Sequence, residues 1–394
     1  MKVLIADKFP DKYIDELKSH DLEVVYEPKL SEDDLADKAK DIDILVVRST
    51  IVNEKAIENS KSLNLIIRAG AGVNNINISA ANKKGIYVAN CPGKNAIAVA
   101  ELAIGLMIAL DRKIPDNVSD FKNGKWNKAA YSKGKGLFGK TMAIVGVGNI
   151  GKAVAERALA FGMNVYGKDI SRIEGVAIKD FSEMDQILPI ADVVTVHLPS
   201  TPQTKHLFDD KMFGYMKDGA YFINTSRPSI VDEEALLRAM DEKNIMAGLD
   251  VFDDEPEGKS GDVKSKLQNH KNAYVTHHIG ASTEQAQNAV AEETVRIIID
   301  FINSGLIAHW VNRARLSDSY YQLSVKHYDK PGVLASVMDV LRSGDINIEE
   351  VENVIFEGGL VALCTMKLKS KATDEMLTAI RNNPNVLSTS HIAC

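Results

Sequence analysis

Three short stretches in the second half of the chain place polar groups at the ends of apolar runs. They are Ile223-Asn224-Thr225-Ser226-Arg227-Pro228, Leu249-Asp250-Val251-Phe252-Asp253-Asp254-Glu255-Pro256 and Thr276-His277-His278-Ile279-Gly280. An arginine binds a carboxylate bidentately and polarises an adjacent carbonyl. A histidine takes or gives a hydroxyl proton while hydride moves, and a carboxylate such as Glu255 raises and orients that histidine. Converging beside a nicotinamide, an Arg, a carboxylate and a His would make a coherent device for hydride transfer. Spacing alone leaves open whether His277 or His278 does the work.

Hydride chemistry needs a carrier, and one stretch offers a place for it: Met142 to Asp169, MAIVGVGNIGKAVAERALAFGMNVYGKD. An apolar run from Met142 to Val147 reads as a buried strand, broken at Gly146, Gly148 and Gly151. A helical pattern then carries Val154, Ala158 and Phe161, and a second apolar run ends at Asp169. This is the strand–GxGxxG–helix–strand–acid order of a dinucleotide-binding βαβ unit. Gly146 permits the tight turn, Gly148 lets backbone approach a pyrophosphate, and Gly151 lets the helix pack close to the strand. Asn149 and Ile150 belong to the same cofactor turn, where unpaired helix N–H groups face the phosphates. Asp169 would bond the ribose hydroxyls and repel a 2′-phosphate, so the expected cofactor is NAD. Gly146 to Lys152 also matches the opening of a P-loop, but Ala153 stands where Ser or Thr must hold magnesium, which argues against a kinase or ATPase.

The elements that must position these groups follow from the alternation of the chain. From residue 1 to 95, apolar runs at Val3–Ala6, Glu23–Tyr26, Ile44–Val47, Leu65–Ile67 and Ile86–Ala89 alternate with helix-period segments at Asp11–Ser19, Ser31–Lys40 and Asn53–Ser60. That pattern predicts a parallel sheet with helices on both faces. A long apolar helix, Asn95–Arg112, leads through a loop-rich stretch to the glycine turn. Further strands follow at Val193–Leu198, Ala220–Asn224, Ala247–Val251 and Ala273–Thr276. In doubly wound folds ligands bind beyond the carboxyl ends of strands, so the three polar turns should face one crevice. A helix at Glu284–Asn303 is expected to return to the first domain, with the site in the cleft between the two. Residues 313–319 read as a polar linker. Beyond it, a βαββαβ order with a Glu357-Gly358-Gly359 hairpin turn marks a ferredoxin-like module.

Bulk properties narrow the class. At 394 residues the chain exceeds one core, and a formal charge of −7 argues against non-specific nucleic-acid binding. Cys91, Cys364 and Cys394 are scattered without CxxC, which suggests a reducing compartment and no metal site. The start, MKVLIADKFP, lacks a signal-peptide pattern, and no apolar run reaches membrane-spanning length, so a cytoplasmic location is the expectation.

At this point the chain resembles the D-isomer-specific 2-hydroxyacid dehydrogenases over residues 1 to about 312, through the Arg, Glu and His stretches in combination. Val47-Arg48-Ser49-Thr50 and Arg68-Ala69-Gly70-Ala71-Gly72-Val73-Asn74-Asn75-Ile76 add to the likeness. The resemblance implies that Arg227 binds the carboxylate and carbonyl, that His278 is the acid/base and that Glu255 pairs with it. It implies Thr225 and Asp250 near the nicotinamide and His197-Leu198-Pro199 on the adenosine side. It further implies backbone at Gly72 and Val73 on the carboxylate, and Arg48 on the phosphate of a phosphorylated 2-hydroxy acid. The implied architecture has a substrate domain of residues 1–95 and 284–312 and an inserted Rossmann domain of residues 96–283. Departures from the family pattern are His277 where Pro is usual, Pro228 where Gly is usual and Asn74 where Asp is usual.

Residues 320–394 resemble an ACT domain, a small amino-acid-sensing module, through Tyr328-Asp329-Lys330-Pro331-Gly332-Val333-Leu334. In serine-sensing relatives a His and two Asn hold the effector; this chain has His327 and Asn347, with Asp329 in place of the first Asn. The resemblance implies either an L-serine effector or a purely oligomerising module, and a homodimer through the nucleotide domain or a homotetramer through the ACT modules. Two other readings stay open from residues alone: a reductase of glyoxylate, hydroxypyruvate or D-lactate, and a nucleotide-sensing corepressor-like protein.

Overall fold

The computed structural model describes residues 1–181, 183–256, 261–314 and 320–393. From residue 315 on, the expected linker lies outside the described residues, as does Cys394. Two compact units emerge, Met1–Asn312 and Arg313–Cys394.

The first unit holds two parallel sheets. One comprises β1 (Lys2–Ile5), β2 (Glu23–Tyr26), β3 (Ile44–Val47), β4 (Leu65–Arg68) and β5 (Tyr87–Asn90) in the order β2-β1-β3-β4-β5. Its inner strands are continuous apolar runs because both faces are covered. Val3, Ile5, Ile44, Val46, Leu65 and Ile67 pack on one side. Leu4, Leu45, Val47, Ile66 and Val88 pack on the other. The first side is closed by Tyr13, Ile14 and Leu17 of helix Asp11–Lys18, and by Val290, Val295 and Ile298 of helix Glu284–Ser304. The latter helix therefore covers the first sheet, although it follows the second in sequence. Helix Ile78–Lys84, unforeseen from the pattern, is closed by Gly85 in the left-handed conformation that glycine adopts without steric cost.

The second sheet comprises β6 (Thr141–Val145), β7 (Asn164–Lys168), β8 (Lys179–Asp180), β9 (Val193–Val196), β10 (Tyr221–Asn224), β11 (Met246–Leu249) and β12 (Ala273–Val275). Its order, β12-β11-β10-β9-β6-β7-β8, reverses direction beside β6, which opens a crevice at the carboxyl ends of β6 and β9. Helix Ala96–Arg112 packs beneath it through Ala100, Ala103, Met107 and Leu110. The stretch expected to be mostly loop holds two helices, Ile114–Lys122 and Lys128–Tyr131, separated from the long helix by Lys113 at φ 49°. Phe161, expected on the buried helical face, lies beyond the end of helix Asn149–Ala160 and is exposed.

The second unit is an antiparallel sheet of β13 (Tyr321–Tyr328), β14 (Ile348–Ile355), β15 (Val361–Leu368) and β16 (Val386–Ala393), ordered β14-β15-β13-β16. Helices Val333–Ser343 and Asp374–Arg381 cover one face, where Val337, Leu341, Leu377 and Ile380 meet Leu323, Val325, Cys364 and Met366. This is the ferredoxin-like order. Among the described residues of the whole chain, no helix is long and apolar enough to cross a membrane.

Candidate active site

The glycine turn is built by contact between the loops after β6 and β9. Gly146 has φ 94°, and a Cβ there would stand 2.4 Å from the carbonyl oxygen of His197. At Gly151 a Cβ would stand 2.1 Å from the carbonyl oxygen of Gly146, so only glycine lets helix Asn149–Ala160 begin against the turn. At Gly148, by contrast, a Cβ would enter open space, leaving the approach to the helix N-terminus clear. Asp169 is tied to the same turn: Oδ2 accepts from the Val147 amide (2.7 Å), and Oδ1 accepts from the Ser171 amide (3.1 Å) and hydroxyl (3.2 Å). Burial works against its charge, yet these amides outweigh it and hold the carboxyl below its ordinary range. The buried Thr225 Oγ1 and His197 Nδ1 have no hydrogen-bond partner among the described residues. An open glycine turn, a fixed ionised acid and unpaired polar atoms suit a bound dinucleotide.

Several expected cofactor residues take more particular places. His197 faces its own strand, with Nε2 2.9 Å from Thr195 Oγ1, and burial pushes its pKa down to about 3, so the ring is neutral. Pro199 is exposed, its carbonyl accepting from Thr204 Oγ1 at 2.6 Å. Asn149 reaches back so that its Nδ2 lies 2.6 Å from where a Gly93 Cβ would stand, and Ile150 packs against the core of the second sheet.

The Arg, Glu and His groups occupy the turns after β10, β11 and β12. His278 Nδ1 lies 2.8 Å from Glu255 Oε2, while Glu255 Oε1 accepts from the Phe252 amide at 3.0 Å. The bond to Glu255 raises the His278 pKa, burial opposes it, and the charges of Glu255 and Asp250 add to the rise. His278 is left-handed, with φ 51°. Asp250, expected beside the nicotinamide, has both oxygens engaged by the histidine loop. Oδ1 accepts from Thr276 Oγ1 (2.5 Å) and the Ile279 amide (2.9 Å), and Oδ2 accepts from the Gly280 amide (2.7 Å). Both histidines are exposed, but His278 lines the cavity and His277 does not.

Arg227 donates through Nη1 to the Ser226 carbonyl (2.6 Å), and its own carbonyl accepts from Asn224 Nδ2 (3.0 Å). Its Nη2 lies only 2.5 Å from where a Gly72 Cβ would stand, so a wall of the first sheet meets a turn of the second there. Burial lowers the Arg227 pKa, and Glu255 partly restores it. Val73 does not line the cavity; it is half-buried, and its carbonyl accepts from the Ile76 amide at 3.0 Å.

These side chains enclose a cavity of about 720 Å³, reached by Arg48, Gly72, Arg227 and His278 and also by Lys8 and Arg68. Arg68 was missed as a chemical group in the sequence. Its Nε is buried without a partner among the described residues, and burial, then the charges of Arg227 and Arg48, push its pKa down to about 10. The signal was available, because Arg68 ends β4 as Arg227 follows β10.

In the C-terminal unit, His327 is buried, with Nδ1 2.8 Å from the Tyr328 carbonyl and Nε2 3.3 Å from Asn353 Oδ1. Asp329 and Asn347 are exposed, and no described hydrogen bond joins the three.

Residues 104–280 match the family model described as D-isomer specific 2-hydroxyacid dehydrogenase, NAD binding domain. The chain is 42% identical over 284 residues to the hydroxypyruvate reductase of Thermotoga maritima, spanning 72% of this chain and 92% of that protein. It is 39% identical over 310 residues to the D-3-phosphoglycerate dehydrogenase of Methanocaldococcus jannaschii, covering 76% of this chain and 57% of that longer protein. Among solved structures it resembles NAD⁺-bound 3-phosphoglycerate dehydrogenase of Entamoeba histolytica, with a TM-score of 0.67 and 30% identity over 80% of this chain and 99% of that one.

Proposed function

The chain belongs to the D-isomer-specific 2-hydroxyacid dehydrogenase family, with NAD as its cofactor, and from that premise we propose that it oxidises 3-phospho-D-glycerate to 3-phosphohydroxypyruvate. The observation that carries the substrate is the set of three guanidinium groups, Arg48, Arg68 and Arg227, around one cavity. One arginine suffices for a carboxylate; two more beside it call for a second anionic group.

In this reading Arg227 grips the carboxylate and polarises the C2 oxygen, with Gly72 at its back. His278, in its neutral form, takes the C2 hydroxyl proton, and Glu255 stabilises the imidazolium that results. NAD, when bound, accepts the hydride that leaves C2. Thr225 and the glycine turn would orient the cofactor, Asp169 would hold its ribose, and Asp250 acts by shaping the loop that carries His278.

The same reading divides the chain into a substrate domain (1–95 and 284–312), an NAD domain (96–283) and a C-terminal ACT module (320–394). The packing of helix Glu284–Ser304 on the first sheet supports that division. The module would sense L-serine, the end product such an oxidation feeds, and the enzyme would work as a homo-oligomer.

A second reading, reduction of hydroxypyruvate, is favoured by the Thermotoga relative, which this chain matches over nearly its whole length. NADH formation or consumption with 3-phospho-D-glycerate, D-glycerate, D-lactate, hydroxypyruvate and glyoxylate separates the two. The phosphorylated substrate should show the highest kcat/KM, and Arg48→Ala should raise KM for it alone. An absence of turnover with 3-phospho-D-glycerate refutes the leading reading.

A further inference from the structure

The loop that presents Arg48 is built around a carboxylate from another strand. Asp7 follows β1 and is 5% exposed. Its Oδ2 accepts three successive backbone N–H groups, from Arg48 (2.7 Å), Ser49 (2.9 Å) and Thr50 (2.9 Å), while Oδ1 accepts from Ser49 Oγ (2.9 Å). Consecutive amides converging on one oxygen form an anion-binding concavity, of the kind that elsewhere takes phosphate. Here the protein fills it with its own carboxylate, and the backbone of residues 48–50 is pinned at the rim of the cavity.

Asp7 also bears on the charges across the cavity. It lines the wall that carries Lys8, Arg48 and Arg68, and its negative charge acts on Arg68 against the repulsion from Arg227 and Arg48. Burial raises the Asp7 pKa, but the three amides and the Ser49 hydroxyl more than offset that, so the group stays ionised.

We propose that Asp7 is the positioning residue of the subsite for the substrate's distal anionic group, acting through Arg48 rather than touching substrate, an inference that rests on the phosphorylated-substrate reading. The Arg48 side chain is long and flexible, and a fixed starting point for it reduces the conformational freedom that binding must remove. The cavity then presents two separate anion clamps. Arg227 serves the carboxylate next to the reacting carbon, and the Asp7-pinned loop with Arg48 serves the far end.

The test uses the full-length enzyme with Asp7→Ala, Asp7→Asn, Arg48→Ala and the Asp7→Ala/Arg48→Ala pair. Two constants are read: KM for 3-phospho-D-glycerate, and the inhibition constant of unphosphorylated D-glycerate competing with it. Asp7→Ala should raise the first about tenfold or more, the effect of losing hydrogen bonds to a charged group, and leave the second and kcat within about twofold. Asp7→Asn, which keeps an oxygen facing the amides, should recover part of the loss. The double variant should be little worse than Arg48→Ala, since two residues acting through one contact are not additive. Equal weakening of both ligands, no weakening, or full additivity in the pair overturns the proposal. Should Asp7→Ala fail to fold, judged by its melting curve and NAD affinity, Asp7→Asn and Ser49→Ala must show the same split between the two ligands, or the proposal falls. If the unsubstituted enzyme fails to turn over 3-phospho-D-glycerate, the substrate reading itself has failed, and that is seen before any variant is made.

Discussion

His278 Nδ1 stands 2.8 Å from Glu255 Oε2, and the backbone that carries the ring is left-handed at φ 51°. The acid/base candidate is thus held from two sides: a carboxylate fixes the ring, and the Asp250-centred loop fixes its unusual backbone. Glu255 and His278 come from different βα turns, so their pairing depends on β11 and β12 lying side by side.

The pair sets a pH dependence whose sign can be worked out. The proposed oxidation needs His278 neutral, and its bond to Glu255 raises its pKa, so the form proposed to be active accumulates only above that raised value. Glu255→Gln removes the main cause of the rise. The acid limb of kcat/KM for oxidation should therefore move to lower pH, while kcat falls because the imidazolium loses its partner. A pH–rate series on both enzymes checks this; an acid limb that stays put or moves upward contradicts it.

The two adjacent histidines should behave very differently. His278→Ala should lower kcat by about 10²- to 10⁴-fold, the range typical of a lost general acid/base. His277→Ala should change it less than about threefold, because His277 is off the cavity wall that His278 lines. Steady-state kinetics on both decides the matter, and the reverse ranking reassigns the proton transfer.

Gly72 is required by Arg227 rather than by its own backbone. A Cβ there would stand 2.5 Å from Arg227 Nη2, and the guanidinium must move. Gly72→Ala should lower kcat/KM by about tenfold or more, since small misplacement of an orienting group is costly, with melting temperature nearly unchanged. Kinetics read beside a thermal melt test the separation of these effects.

A buried carboxylate joins the two crossings between the sheets. Glu293 lies in helix Glu284–Ser304 and pairs with Arg296, with Lys94 before helix Ala96–Arg112 (3.0 Å) and with His309 (2.9 Å). Arg296 first, then Lys94, hold its pKa down to about 2 against the opposing effect of burial. Because the folded value lies below the unfolded one, the stabilisation is full above about pH 4.5 and is lost as pH falls toward 2. Glu293→Gln should cost about 1–3 kcal/mol at pH 7, and the gap should close across that acid range. Denaturant melts at several pH values measure it; a gap independent of pH excludes the ionic origin.

Serine sensing can be tested without dissecting the chain. L-serine should inhibit the full-length enzyme, and Asn347→Ala or Asp329→Ala should relieve the inhibition while leaving uninhibited turnover unchanged. Both side chains are exposed on the C-terminal unit, so their loss should not disturb its core. Initial rates with and without serine decide it, and an enzyme indifferent to serine leaves the module with an assembly role.

Much of this protein is written locally. Strands such as Ile44–Val47 are apolar throughout because both faces are buried, and Ser31, Asn53 and Thr283 each cap the helix they precede. The turn at Gly146 to Gly151 and the polar strand ends at Arg227, Glu255 and His278 are legible for the same reason: each is a short run whose residue types suit one backbone and one chemistry. Contacts between distant segments decided the rest. Which histidine faces the cavity follows from the loop that Asp250 gathers. That Asp250 is occupied there, that the buried Arg68 Nε finds no partner among the described residues, and that Asp7 holds the loop of Arg48 all depend on strands far apart in sequence. Residue type and local period specify which backbone an element adopts and which side it buries. The partner a polar group finds depends on which distant strands are brought together, and that is decided only when the sheets and their crossing helices close.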